Sequence, residues 1–217
     1  MSSRRGGRIG DAADPVASVR GVPHLLAWVL GCLHVGAQAA QEVLVANGGC
    51  RDGRPNGAFA LRSPDGRLRV SGAFHEGKRT GTFIFWNAAG LRVAVIPYEE
   101  DVRNGTIALW QPGPRGGRDP TRRLEAPVVR GHAHGVTRAW DTDARLRYEA
   151  TYAHDQLQRV LAWDASGKQL GDDAARAMAN EAQRRDSAYI DGLEAMLARH
   201  RPSCNRPSPS GAAKEET

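Results

Sequence analysis

Apolar and polar positions alternate along this chain in short runs, and the runs return at a fixed interval. Gly81-Thr82-Phe83-Ile84-Phe85-Trp86 is followed by Asn87-Ala88-Ala89-Gly90 and then by a second apolar run, Leu91 to Ile96. Two runs of β-branched and aromatic residues around an Asn/Asp/Gly turn predict a β-hairpin. The leading glycine recurs at Gly57, Gly81 and Gly105, 24 residues apart each time, and Gly66 and Gly90 repeat the interval. On that alignment Phe59, Phe83 and Ile107 share one column, and Leu61, Phe85 and Leu109 another. Trp86 and Trp110 follow their glycine by five residues, and Trp140 follows Gly135 in the same way. Trp163 marks a fifth, degenerate copy, with Gln158 or Arg159 where the leading glycine should stand. A period of a few tens of residues predicts a repeat architecture, in which each unit buries its apolar face against its neighbours.

The turns carry the same punctuation from copy to copy: Ser63-Pro64-Asp65-Gly66, Asp141-Thr142-Asp143-Ala144 and Asp164-Ala165-Ser166-Gly167. The first residue can bond the turn backbone, and the fourth must take a positive φ, so Ala144 predicts a strained turn. A second turn joins one hairpin to the next, at Glu76-Gly77-Lys78-Arg79-Thr80-Gly81 and again at Gly131 to Gly135. Together these predict a mainly β chain: about five antiparallel hairpins over residues 56–170, in one twisted sheet, with residues 40–55 as a linker.

Past Gly171 the pattern changes to a helix over residues 172–201, opened by Asp172-Asp173 and stopped by Pro202. Met178, Ala182, Tyr189, Ile190, Leu193, Met196 and Leu197 form its apolar stripe, opposite Arg184, Arg185 and Asp186. A single-layer sheet leaves an apolar face in need of cover, so the helix is expected to pack back on the hairpins; the alternative is a helix that binds a partner or a membrane surface. Residues 205–217 are expected to be a disordered tail.

The motif G-x-F-x-F-W-[ND]-x-x-G, with an aromatic about eight residues on and a short G-K-R-x-G turn, resembles the MORN repeat. It is most similar to the bacterial MORN-variant repeats of the YwqK type, often labelled as antitoxins of toxin–antitoxin systems. The resemblance covers residues 56–170. It implies an elongated, twisted single-layer sheet of stacked hairpins, a scaffold reused in unrelated settings, and an antitoxin or immunity role as one functional reading. Copies three and five depart from the pattern, the third through an insertion over residues 111–127.

That insertion contains Pro112-Gly113-Pro114 and the arginines Arg115, Arg118, Arg122 and Arg123. Its prolines and glycines predict a protruding loop. It reads either as a solubilising segment or as a contact for an anionic partner. The net charge of +6 is spread among interleaved acids, which argues against nucleic-acid binding.

Leu25 to Leu33 is an apolar run too short to span a bilayer, and Ala37-Gln38-Ala39 offers a small-residue cleavage site, so residues 1–39 read as an export signal. The 24-residue lead, with Asp11 and Asp14, fits a signal badly and points to a start near Val19 or Val22. A lipobox acylated at Cys32, a twin-arginine signal at Arg4-Arg5 and an uncleaved segment are the alternatives. The expected location is periplasmic or surface-exposed, with membrane contact confined to the N-terminal segment. Removal of that segment would leave Cys50 and Cys204, which bracket the repeats and read as one disulfide in an oxidising compartment, or else as two free thiols.

Candidate chemistry is sparse. His132 and His134, two residues apart, could project from one face as metal ligands, but no third ligand stands at a telling spacing. Glu99-Glu100-Asp101 lies in the preceding turn and reads as solvated surface. No serine or cysteine has a nucleophile-elbow context. Phe59, Phe74, Phe83, Phe85, Trp86, Tyr98, Trp110, Trp140, Tyr148, Tyr152 and Trp163 are the expected repeat-core aromatics, with the tryptophan column alternatively a sugar- or peptide-stacking strip. The expectation is a non-catalytic scaffold, without cofactor, that binds a protein or envelope component. An antitoxin and a histidine-metal hydrolase are the rival readings.

Overall fold

A computed structural model describes residues 43–113 and 120–204. Among these, twelve strands form one antiparallel sheet. They are β1 (Val45–Arg51), β2 (Arg54–Arg62), β3 (Leu68–His75), β4 (Lys78–Trp86), β5 (Arg92–Glu99), β6 (Val102–Arg103), β7 (Gly105–Gln111), β8 (Thr121–Val129), β9 (His132–Ala133), β10 (Gly135–Trp140), β11 (Leu146–Ala153) and β12 (Gln156–Ala162). Spatial order follows chain order, and the two-residue strands β6 and β9 extend the pairing of β5 and β8. This is the predicted meander of stacked hairpins. The fifth copy is indeed degenerate: beyond β12 its hairpin closes through a single bridge, Trp163 to Gln169.

Four hairpin turns share one hydrogen-bond scheme. Ser63, Asn87, Asp141 and Asp164 each accept, at the main-chain oxygen, the N–H of the residue three places on, at 2.8 to 3.1 Å. In three of them that residue is a glycine of positive φ; in the fourth it is Ala144, at φ 60°, the conformation that costs a side chain most. On the opposite rim, two-residue turns with both φ values positive join successive hairpins. Two of these place an aspartate, Asp101 or Asp155, where the others have glycine. Each aspartate reaches back to a main-chain N–H of the preceding turn, Arg79 at 2.8 Å or Ala133 at 2.6 Å.

One face of the sheet carries Phe59, Leu61, Phe74, Phe83, Phe85, Ile96, Tyr98, Leu109, Tyr148 and Tyr152, all buried. The helix α1 (Asp172–Arg199) covers that face with Ala175, Ala179, Ala182, Ile190 and Leu197. Its 28 residues span about 42 Å, and the nine gaps between ten successive strands span about 43 Å. The helix can therefore start beside β12 and end beside β1, where Cys50 and Cys204 form a disulfide with Cα atoms 5.7 Å apart. Closing a sequence separation of 154 residues contributes about 4–5 kcal/mol in the chain-entropy account.

Three expectations need correction. Residues 45–51, within the expected linker, form β1, because they pair with β2 from Val45–Arg62 to Arg51–Arg54, with one register shift between Gly48 and Cys50. The insertion is narrower than expected, since β8 starts at Thr121 and pairs with β7 as far as Gln111–Thr121. Arg122 and Arg123 therefore lie on a strand, and Pro127 occupies the column of Pro97 without breaking it. Finally, Asp186 is on the covered face of α1, 3% exposed, rather than opposite the apolar stripe. It is held there by Arg123, whose Nη2 lies 3.0 Å from Oδ1. The proposed signal with Cys32, the arginines Arg115 and Arg118, and the tail 205–217 lie outside the described residues.

Candidate functional site

The sheet face turned away from α1 carries a second pattern. On β4, β7 and β10 the strand alternation that turns Phe85, Leu109 and Ala139 toward the helix turns Trp86, Trp110 and Trp140 the other way. Just before each tryptophan the register slips, so that two residues of the returning strand oppose one. The slip sets Arg92 across from Trp86 and Arg122 across from Trp110. Five successive main strands, β4, β5, β7, β8 and β10, thus present Trp86, Arg92, Trp110, Arg122 and Trp140 in one row.

Trp110 sits between two guanidinium groups, with Arg92 Cζ 4.1 Å and Arg122 Cζ 4.9 Å from its ring centroid. This stacking, not the helix, leaves the ring only 8% exposed, and each contact is a cation–π attraction. Trp86, Trp140 and Trp163 are half-buried and stand outside the core cluster. The tryptophan column is therefore not part of the core under α1, whereas Phe59, Phe74, Phe83, Phe85, Tyr98, Tyr148 and Tyr152 are. Arg62 holds the tryptophan column in the first copy. Arg122 is paired with Glu125; among the described residues Arg92 has no carboxylate partner. Beside the row, Ala60, Ser71, Ile84, Val95 and Ala108 stand opposite one another across β2, β3, β4, β5 and β7, all uncharged, and the line continues across β8, β10 and β11 as Glu125, Arg138 and Glu149.

The covered face ends in an ionic cluster. Glu194 of α1 accepts hydrogen bonds from Arg103 Nε at 2.9 Å and Nη2 at 2.8 Å, and from the Tyr98 hydroxyl. Arg79 stacks 4.1 Å over the Tyr98 ring and donates to Asp101 at 2.9 Å. Burial alone would raise the Glu194 carboxyl, but the bonds from Arg103 and Tyr98 outweigh it and hold the group below the ordinary range. Burial and the hydrogen bond its hydroxyl donates to Glu194 push Tyr98 well above its usual value. A cleft of about 540 Å³ beside the cluster is lined by Phe74, Arg79, Asp101, Asp191, Glu194 and Arg201. Each of these acids is already bound to an arginine, which leaves it a poor proton acceptor.

His132 and His134 do not converge. The His132 ring lies 2.6 Å from Asp155, whose carboxyl that contact holds below the ordinary range. The His134 ring packs edge-on against His154, with centroids 5.0 Å apart. Among the described residues no group of three or more His, Cys, Asp or Glu side chains is gathered to hold a metal ion.

Sequence periodicity found the tryptophans but missed Arg92 as their partner. The signal was the slip of one residue in the returning strand, which a column alignment hides. Asp186 was placed on the wrong side of the helix, and Glu194, His154 and Asp155 were missed, because their partners are distant in the chain. No family model matches this chain, and no curated protein is significantly similar to it.

Proposed function

We propose that this chain is an exported, non-catalytic binding scaffold whose partner is a protein or other component of the bacterial envelope, built from MORN-like hairpin units. The observation that carries the reading is the asymmetry of the sheet. One face is closed by α1, which the Cys50–Cys204 disulfide fastens across the whole width. The other face is open and carries an ordered row of aromatic and guanidinium groups. A disulfide closing so long a stretch of chain suits an oxidising compartment, and no described helix is long and apolar enough to cross a membrane. The ionised groups under α1 are consumed by one another, which supports binding over turnover.

Purified oxidised protein, immobilised and exposed to an envelope extract, is expected to retain a component that a fold-matched control resin does not. Recovery of the native protein from the cytoplasm with Cys50 and Cys204 as free thiols, together with no retained component, overturns the reading.

A further inference from the structure

Building on that scaffold reading, we infer that the open face binds an extended acidic polysaccharide, with its carboxylates on Arg92 and its neighbours and its sugar rings over Trp86 and Trp140. Three observations carry this. First, Trp110 fixes the Arg92 guanidinium over its ring, with Cζ 4.1 Å from the centroid, and an arginine so placed can still offer its N–H edges to a carboxylate. Arg92 is exposed, and among the described residues it has no acid of its own.

Second, the row has a period. Trp86, Trp110 and Trp140 lie on every second main strand, and Arg92 and Arg122 do so one strand out of phase. Every second strand recurs at about 10 Å, close to the length of one disaccharide. With Trp110 covered by the two guanidiniums and Arg122 held by Glu125, the positions open to a polymer are Trp86, Arg92 and Trp140. Trp86 and Trp140 lie four main strands apart, about 19 Å, close to the length of a two-disaccharide stretch, with Arg92 between them.

Third, the hairpin-turn rim keeps a cationic surplus. Its acids Asp65, Asp141 and Asp143 are paired with Arg67 and Arg145, and Asp164 accepts from Ser166 and Lys168 in its own turn. Arg62 and Arg92 remain without carboxylates among the described residues. Beside Trp86 and Arg92 the face carries the uncharged Ser71, Ile84, Val95 and Ala108, so a flat polymer can lie there; from β8 onward the same row continues as Glu125, Arg138 and Glu149.

The test titrates the intact oxidised protein with hyaluronan, which carries one carboxylate per disaccharide, and follows tryptophan fluorescence. Dextran, poly-glutamate and phosphatidylglycerol vesicles serve as the neutral-sugar, acidic-peptide and acidic-membrane comparisons. The expected result is binding to hyaluronan alone, weakened by salt, about tenfold weaker in Arg92→Gln and unchanged in Arg130→Gln on the opposite rim. A Trp86→Leu variant should lose affinity with unchanged salt dependence. Equal or tighter binding of poly-glutamate or of vesicles, binding indifferent to Arg92→Gln, or no hyaluronan binding overturns the inference. No hyaluronan binding, together with retention of an envelope protein by wild type and Arg92→Gln alike, would leave the scaffold reading standing while this one fails.

Discussion

Arg123 of β8 and Asp186 of α1 form an ion pair beneath the helix, 3.0 Å apart, with side chains 19% and 4% exposed. Asp186 Oδ2 and Arg123 Nε have no hydrogen-bond partner among the described residues, so the pair is held by charge more than by aligned hydrogen bonds. Arg123 also lies 5.0 Å over the Tyr189 ring. Removing one partner leaves a buried charge with only the exposed Arg185 nearby. Arg123→Met is therefore expected to cost about 3 kcal/mol in urea unfolding. The double variant Arg123→Met, Asp186→Leu should recover most of that loss, because a matched apolar pair removes the desolvation cost from both sides. Equal destabilisation by the single and double variants would show that packing, not charge, decides this contact.

The two sheet faces should respond differently to truncation. Phe83 is fully buried under α1 against Phe59, Phe74 and Tyr98, so Phe83→Ala is expected to cost about 3–5 kcal/mol. Trp86 is half-buried on the open face, and Trp86→Ala should cost about 1–2 kcal/mol. Parallel denaturant melts measure both. A Trp86→Ala loss equal to that of Phe83→Ala would place the Trp86 ring in the core.

Ala144 invites the opposite experiment. It holds φ 60° where three equivalent turns have glycine. Relief of that strain exceeds the extra freedom glycine gains in the unfolded chain, so Ala144→Gly is expected to stabilise by about 0.5–1 kcal/mol. Thermal melts at matched pH check the sign; a lower Tm contradicts the assignment.

Acid should loosen the helix before neutral pH has any effect. Burial opposes ionisation of Asp101 and Glu194, but hydrogen bonds from Arg79 to the first and from Arg103 and Tyr98 to the second leave both carboxyls below their ordinary range. A folded pKa below the unfolded one contributes stability above the unfolded value, about 4, and loses it as pH falls through the folded value. Unfolding free energy is expected to drop below about pH 4. Arg103→Gln should flatten that acid limb, since Glu194 then loses its main donor. An unchanged limb in this variant would remove Glu194 from the account.

Strands, turns and their period were legible from the residues alone, because each is enforced locally. Phe83 and Phe85 alternate with Ile84, Gly90 supplies the positive φ its turn needs, and Cys50 and Cys204 stand on either side of the repeats. Pairing with β2 was not legible for Val45–Arg51, since Asn47, Gly48 and Gly49 carry no strand preference and only the neighbouring strand makes one of them.

Which face would be covered lay beyond any local signal. Both faces of β4 are apolar, with Phe85 on one and Trp86 on the other, so alternation gives two sides without ranking them. The choice falls to α1, whose small residues Ala175, Ala179 and Ala182 let it lie close on the phenylalanine side. Asp186 follows from the same cause: an aspartate on a helix reads as solvent-facing until a distant Arg123 meets it. The tryptophans are left outside, stacked on arginines that a shift of one residue per hairpin brings alongside them. Periodicity is a property of the chain taken by itself. Coverage depends on which surfaces meet, and only the packed helix and sheet decide that.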